Sequence, residues 1–195
     1  MAHFQGHRFN YMRRLILIIT ILTSLTLSTT GQDKLEWSET RKLTVNDFKA
    51  TPPDPSTDQS LIANFGLETN LKKGEIENLK TFNRQVSNLF SPNNSWIDWT
   101  DKSRLRYAIT LFDLNEWMTR ELRKRLNENR KLVLAGQHQS IQEEVRKEFE
   151  KIRQDYDNDS SYGNNAIGQI NWETRINERI LSLGDYCKTC EPGKN

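Results

Sequence analysis

Residues 101–129, DKSRLRYAITLFDLNEWMTRELRKRLNEN, decide the fold. Asp101 carries the short acceptor side chain of an N-cap, which predicts a helix from Lys102 to about Asn129. Along it Leu105, Ile109 and Phe112 form one apolar line, and Tyr107, Leu111, Leu114, Met118 and Leu122 form an adjacent one. Two neighbouring lines make a broad apolar face, so the spacing predicts burial along much of the first half of the helix. Arg120, Arg123, Lys124 and Arg125 crowd the second half. Cations there suit the negative end of the helix dipole, and the expectation is a solvated basic face.

Downstream, a second helix is expected to start at Ser140. Ile141, Val145, Phe149, Ile152 and Tyr156 fall at steps of four, four, three and four, a single apolar stripe. Residues 158–168 form a link, and a third helix runs from about Gln169 to Leu183 with Trp172, Ile176, Ile180 and Leu183 on one face. Upstream, residues 61–69 and 76–90 mix β-branched and aromatic residues in imperfect alternation. They read as two or three strands, with Lys73-Gly74 as a turn and Ser91-Pro92-Asn93-Asn94 as a loop. Pro52, Pro53 and Pro55 mark an extended connection before them. The expected class is α+β: a small N-terminal antiparallel sheet followed by three α-helices, the first packing beneath the sheet.

The N-terminus reads as a targeting segment. Arg13 and Arg14 precede residues 15–27, a Leu/Ile run broken only by Thr and Ser, and small residues follow up to Gly31. That run is short for a membrane span and suits a signal peptide over residues 1–32, cut after Gly31 or retained as an uncleaved anchor. Met12 offers an alternative start. The whole chain holds 28 basic and 26 acidic residues, net +2. Residues 1–32 contain Arg8, Arg13 and Arg14 and no acid, so the remainder holds 25 basic against 26 acidic, net −1. Nucleic-acid binding needs concentrated positive charge and is not expected. No stable membrane span is expected after signal cleavage. The expected organisation is a signal over 1–32, one domain over 33–186 and a cysteine-bearing tail over 187–195, exported to the periplasm or outside the cell.

Several short motifs occur in a recognisable order. Trp37 with Arg41-Lys42-Leu43-Thr44 and Asp47-Phe48 opens the series, and Ser95-Trp96 follows the strand region. Phe112-Asp113 lies in the first long helix, Tyr156-Asp157 ends the second, and Gly163 and Gln169-x-x-Trp172 complete it. In these residues the chain resembles the bacterial domain of unknown function 922 family, predicted secreted zinc-dependent proteases common in Bacteroidota-type bacteria. The resemblance covers residues 37–183. It implies a zincin-like arrangement, in which an H-E-x-x-H pattern precedes F-D on the first helix and a T-H-G segment follows Y-D. Two histidines four apart share one helical face and can reach one Zn²⁺, and the intervening glutamate serves as general base.

Anchored on those motifs, the first His position holds Tyr107, the Glu position Ala108, the second His position Leu111 and the third His position Tyr162. Alanine and leucine offer neither ligand nor base. A phenol must lose a proton with an ordinary pKa near ~10 before it binds Zn²⁺ well. The resemblance therefore implies a pseudo-metalloprotease without cofactor, its metal cavity refilled by packing with Tyr162 closing over Tyr107 and Leu111. Tyr107, Ala108, Leu111 and Tyr162 then mark a residual cleft for an envelope protein or peptide. An active hydrolase with different groups and a purely structural envelope domain are the alternatives.

Other chemistry is sparse. His3 and His7 lie at the N-terminus, which leaves His138, read as a solvated loop residue. Asp155, Asp157 and Asp159 resemble the start of a calcium loop, but Ser160 and Ala166 replace its Gly and Glu, and the acids read as solvating a helix end. Asp113 and Glu116, one turn apart, read as structural acids. Cys187 and Cys190 can close a short disulfide in an exported tail.

Overall fold

Asp101 caps the central helix as its chemistry demands: its Oδ1 accepts from the Ser103 backbone N–H at 2.9 Å and from the Ser103 hydroxyl at 2.6 Å. The computed structural model describes residues 34–54, 56, 59–72, 76, 78–188 and 190. The expected signal segment with Met12 and the expected Lys73-Gly74 turn lie outside the described residues. All described residues fall within one unit, Asp33–Asn195.

In chain order the elements are β1 (Leu35–Glu36), β2 (Leu61–Ile62), β3 (Phe65–Thr69), α1 (Leu79–Asn83), β4 (Val86–Phe90), β5 (Trp96–Ile97), α2 (Lys102–Glu128), α3 (Arg130–Leu134), α4 (Gln139–Ser160) and α5 (Ala166–Ser182). The class is α+β. β4 runs between β1 and β3, antiparallel to both, with Phe90 opposite Leu35 on one side and Phe65 on the other. A two-stranded ladder pairs β2 with β5. Among the described residues, no helix is long and apolar enough to cross a membrane.

The stretches 61–69 and 76–90 hold three strands among the described residues, β2, β3 and β4, within the expected two or three, but β4 occupies only the end of the second stretch. Asn78 accepts the Thr81 backbone N–H at 2.8 Å and starts the short helix α1 where alternation alone read as strand. The 91–94 loop contains a single 3₁₀ turn that begins at Pro92. α5 begins three residues earlier than expected, because Asn165 accepts from the N–H groups of Ile167 and Gly168 at 3.2 and 3.4 Å.

α2 lies under the sheet. Phe112 stacks on Phe65 with ring centroids 5.2 Å apart, and Asn88 of β4 donates to the Phe112 carbonyl at 3.1 Å. Phe90 meets both Phe48 and Phe65 at 5.0 and 5.6 Å. On the other side α4 contributes Ile141, Val145, Phe149 and Tyr156 to the core, and α5 contributes Trp172, Ile176 and Ile180. The two predicted stripes are thus the packing faces of these helices.

The second half of α2 corrects the expected solvated face. Arg120 and Arg123 are each 1% exposed, and both reach Oε1 of buried Glu116, at 3.0 and 3.1 Å. Arg120 also donates to the Ile180 carbonyl at 2.8 Å, and Arg123 donates to the carbonyls of Val86 at 2.8 Å and Tyr186 at 2.9 Å. These arginines tie α2 to β4, to the end of α5 and to the segment after it. Burial pulls the Arg123 guanidinium below its ordinary pKa, against the opposing field of Glu116. Of the four cations expected on that face, Lys124 and Arg125 remain partly open to solvent.

Candidate functional site

Tyr107 projects from α2 into an aromatic nest and is 5% exposed. Its ring stacks on Tyr156 of α4 at 5.3 Å, and Tyr162 approaches its edge at 6.3 Å. Its hydroxyl donates to Asp157 Oδ1. Burial, and then the Asp157 carboxylate, push its phenol far above the ordinary value. Tyr156 is pushed up mainly by burial; its hydroxyl donates to Gln169 Oε1 at 2.8 Å.

Gln169 extends this network. Its Nε2 donates to Thr110 Oγ1 at 2.7 Å and to Glu173 Oε1 at 2.9 Å, while Arg106 grips Glu173 with two bonds of 2.7 and 2.6 Å. Burial alone would raise the Glu173 carboxyl, but Arg106 and Gln169 hold it below its usual range. Trp172 packs beside Tyr156 at 5.7 Å and donates to Asp159 at 2.9 Å. Tyr156, Asp157, Gln169 and Trp172 carried the resemblance in the sequence, and in space they stand together on the Tyr107 side of α2.

Tyr162 reaches this cluster on a strained loop. Ser161, Tyr162 and Gly163 take consecutive left-handed conformations, with φ of 48°, 54° and 88°. Each non-glycine residue there costs about 1–2 kcal/mol. Arg104 holds the loop by donating to the Tyr162 carbonyl at 2.6 Å. Gly163 is required for a second reason: a Cβ at that position would lie 2.7 Å from the Tyr107 Cβ. Positions 107 and 162 therefore meet. Tyr162 stays 56% exposed, so it borders the Tyr107 ring and does not seal it.

Ala108 is fully buried and Leu111 is 6% exposed. Leu111 forms part of the floor of a groove of about 370 Å³, with Phe65, Leu114, Met118 and Phe149; Arg146 and Arg153 of α4 stand at its rim. Tyr107, Ala108 and Tyr162 do not line it. A second groove, about 470 Å³, opens between α2, α5 and the segment after β1, lined by Trp37, Lys42, Ile109, Asp113 and Ile176 among others. There Asp113 accepts from Trp37 Nε1 at 2.7 Å and from Lys42 Nζ at 2.9 Å, so it joins the opening motif to α2.

The donor set at positions 107, 108, 111 and 162 does not fit Zn²⁺. It comprises one deeply buried phenol held in its protonated form, one largely exposed phenol and two hydrocarbons. His138 directly precedes α4 and lines neither groove. Asp155, Asp157 and Asp159 sit in the last turns of α4 and not in a loop, and two of them are engaged by Tyr107 and Trp172. Among the described residues, one trio can bring metal-ligating atoms within 4.8 Å of one another: Glu39, Cys187 and Cys190. Cys187 and Cys190 are joined in a disulfide, which removes their thiolates.

The Arg106–Glu173–Gln169 network and the Trp37–Asp113 link were not read from the sequence. The only local signal for either was the recurrence of Gln169 and Asp113 inside the short motifs. No family model, curated protein or solved structure matches this chain.

Proposed function

We propose that this chain is an exported, non-catalytic relative of the predicted zinc-dependent proteases, with a zincin-like arrangement that has lost its metal. Its role is to bind an extended segment of an envelope protein or peptide. The observation that carries the reading is the helical face of Tyr107 and Leu111. Residues four apart there would hold a metal, but one is a protonated phenol tied to Asp157 and the other is a hydrocarbon on the floor of a groove. β3 is an edge of the three-stranded sheet among the described residues, and its first residue, Phe65, helps form that groove. An extended peptide that lays an apolar side chain over Leu111 and Met118 matches this surface.

Two measurements test it. Zinc per chain, after zinc addition and desalting, is expected well below one equivalent, and one tightly held equivalent refutes the metal-free reading. Selection from a random peptide library on the immobilised protein is expected to enrich extended sequences with an apolar anchor, and Met118→Glu is expected to weaken them at least tenfold. The burial of Tyr107 and Ala108, away from the walls of both grooves described above, favours the alternative of a purely structural envelope domain. That alternative expects no enrichment.

A further inference from the structure

Residues 185–188 and Cys190 dock on the sheet and on the buried charge network of α2. Asn83 of α1 donates to the Asp185 carbonyl at 2.8 Å, and Lys188 reaches Glu36 at 2.5 Å and Ser87 Oγ at 2.6 Å. This places the disulfide beside the Arg120 guanidinium, whose Nη2 lies 3.7 Å from Cys190 Sγ. Both cysteines remain half-buried, within reach of a small thiol.

The charge balance at this point is uneven. Two fully buried guanidiniums, Arg120 and Arg123, share one buried carboxylate, Glu116. The remaining positive charge is met by Glu39, which is half exposed, 3.2 Å from Arg120 Nη2, with the same oxygen 3.0 Å from Cys190 Sγ. An anion forming on Cys190 can take the place of Glu39 against Arg120 while Glu39 swings into water. Among the described residues, the hydrogen-bond donor to Cys187 Sγ is the Cys190 backbone N–H, at 3.0 Å. A buried ion pair favours a thiolate more than one neutral donor does.

We propose that Cys187–Cys190 is a thiol–disulfide exchange site in which Cys187 is the sulfur attacked and Cys190 is the leaving thiolate received by Arg120. The co-reactant is a dithiol. One of its thiolates attacks Cys187 Sγ; the Cys187–Cys190 bond breaks and its electron pair goes to Cys190 Sγ. The second thiol, deprotonated, then attacks the dithiol's own sulfur in the mixed disulfide and releases Cys187 as a thiolate. The two protons of the dithiol end on the two cysteines, the dithiol becomes a disulfide, and two electrons have moved. This site is independent of the proposed peptide groove.

The first test uses the unmutated protein. Brief reduction with glutathione, acid quenching and peptide mapping are expected to place the glutathione adduct on Cys187. An adduct mainly on Cys190, or a disulfide that resists a dithiol without denaturant, overturns the proposal. The second test follows alkylation rate against pH in Cys187→Ser and Cys190→Ser. The Cys190 thiol is expected to titrate about one unit or more below the ordinary ~8.5, roughly a tenfold gain in thiolate near neutrality. Glu39→Gln added to Cys187→Ser is expected to lower that midpoint further, because the competing carboxylate is gone. A Cys190 midpoint at or above that of Cys187 overturns the assignment.

Discussion

Glu116→Gln tests whether the buried charge network holds the fold. Glu116 Oε1 accepts from Arg120 Nε at 3.0 Å and Arg123 Nη1 at 3.1 Å, and all three side chains are 1–2% exposed. Glutamine keeps an acceptor of the same size but removes the only buried negative charge between two guanidiniums. Breaking a buried pair by neutralising one partner costs about 3–5 kcal/mol. At roughly 2–4 °C per kcal/mol for a chain of this size, Tm should fall by about 6–20 °C. Urea unfolding followed by tryptophan fluorescence gives the free energy directly. Glu121→Gln is the control, since its pair with Arg125 at 3.1 Å is partly exposed and should cost under about 1 kcal/mol. Replacing Glu116, Arg120 and Arg123 together by Leu, Met and Leu should not restore stability. The carbonyls of Val86 and Tyr186 would lose their guanidinium donors, at about 1–3 kcal/mol each where buried, while the Ile180 carbonyl keeps the Leu183 N–H at 3.3 Å. A Glu116→Gln protein within about 1 kcal/mol of the parent refutes this account.

Gly168→Ala inside α5 should destabilise, although alanine ordinarily gains about 1 kcal/mol over glycine in a helix. Its Cβ would meet the Asp159 carbonyl oxygen at 2.1 Å, and a gain in urea midpoint would show that the two helices separate freely there. Tyr107→Phe should cost about 1.5–3 kcal/mol near neutrality by removing a charge-assisted bond to Asp157. The unfolded chain loses this tyrosine proton near pH ~10 while the folded chain keeps it. Stability is therefore full below that pH and falls as pH rises above it, and the fall should be shallower in Tyr107→Phe. At the acid end, burial would raise Asp47, but the Thr44 N–H at 2.8 Å and Arg41 at 2.6 Å hold it below its ordinary value. Its contribution, with that of Glu173, is present above pH ~4.5 and is lost as pH falls below that. Urea midpoints at pH 6, 4 and 3 should show the loss, with a flatter slope in Arg106→Gln.

The helices were legible because their signals are local. Asp101 at one end of α2 and the steps of Ile141, Val145 and Phe149 along α4 need no knowledge of the partner surface. The same periodicity held the clue to the buried arginines. Ile109, Phe112, Glu116, Arg120 and Arg123 continue at steps of three, four, four and three, so they lie along one side of the helix. Residue type outweighed spacing in that reading, because arginine is rarely buried without partners, and its partners here are carbonyls supplied by distant segments. Residues 79–83 were misread for the opposite reason: a local cap at Asn78 overrode a weak alternating pattern. The meeting of Trp37 with Asp113 and of Tyr107 with Tyr162 joins segments far apart in the chain. The resemblance linked only Tyr107 with Tyr162 beforehand; nothing in the sequence joined Trp37 to Asp113, and no periodicity could.

The proposed loss of metal has an energetic consequence that a reversal can test. On this reading Zn²⁺ once tied α2 to the loop after α4, and structural zinc contributes about 10–16 kcal/mol in small sites. Two aromatic pairs at about 0.5–1.5 kcal/mol each and one hydroxyl–carboxylate bond at about 1.5–3 kcal/mol replace only part of that. The buried arginines further along α2 then hold the remainder of the packing, which is why they and not Tyr107 should dominate stability. Tyr107→His, Ala108→Glu, Leu111→His and Tyr162→His together rebuild the donor set. Zinc at a hundredfold excess over its Kd should stabilise the folded quadruple variant by about 2.7 kcal/mol, a Tm rise of roughly 5–11 °C that the parent does not show. A folded variant whose Tm ignores zinc would mean that positions 107, 111 and 162 were never a metal site, and the kinship proposed from them would fall with it.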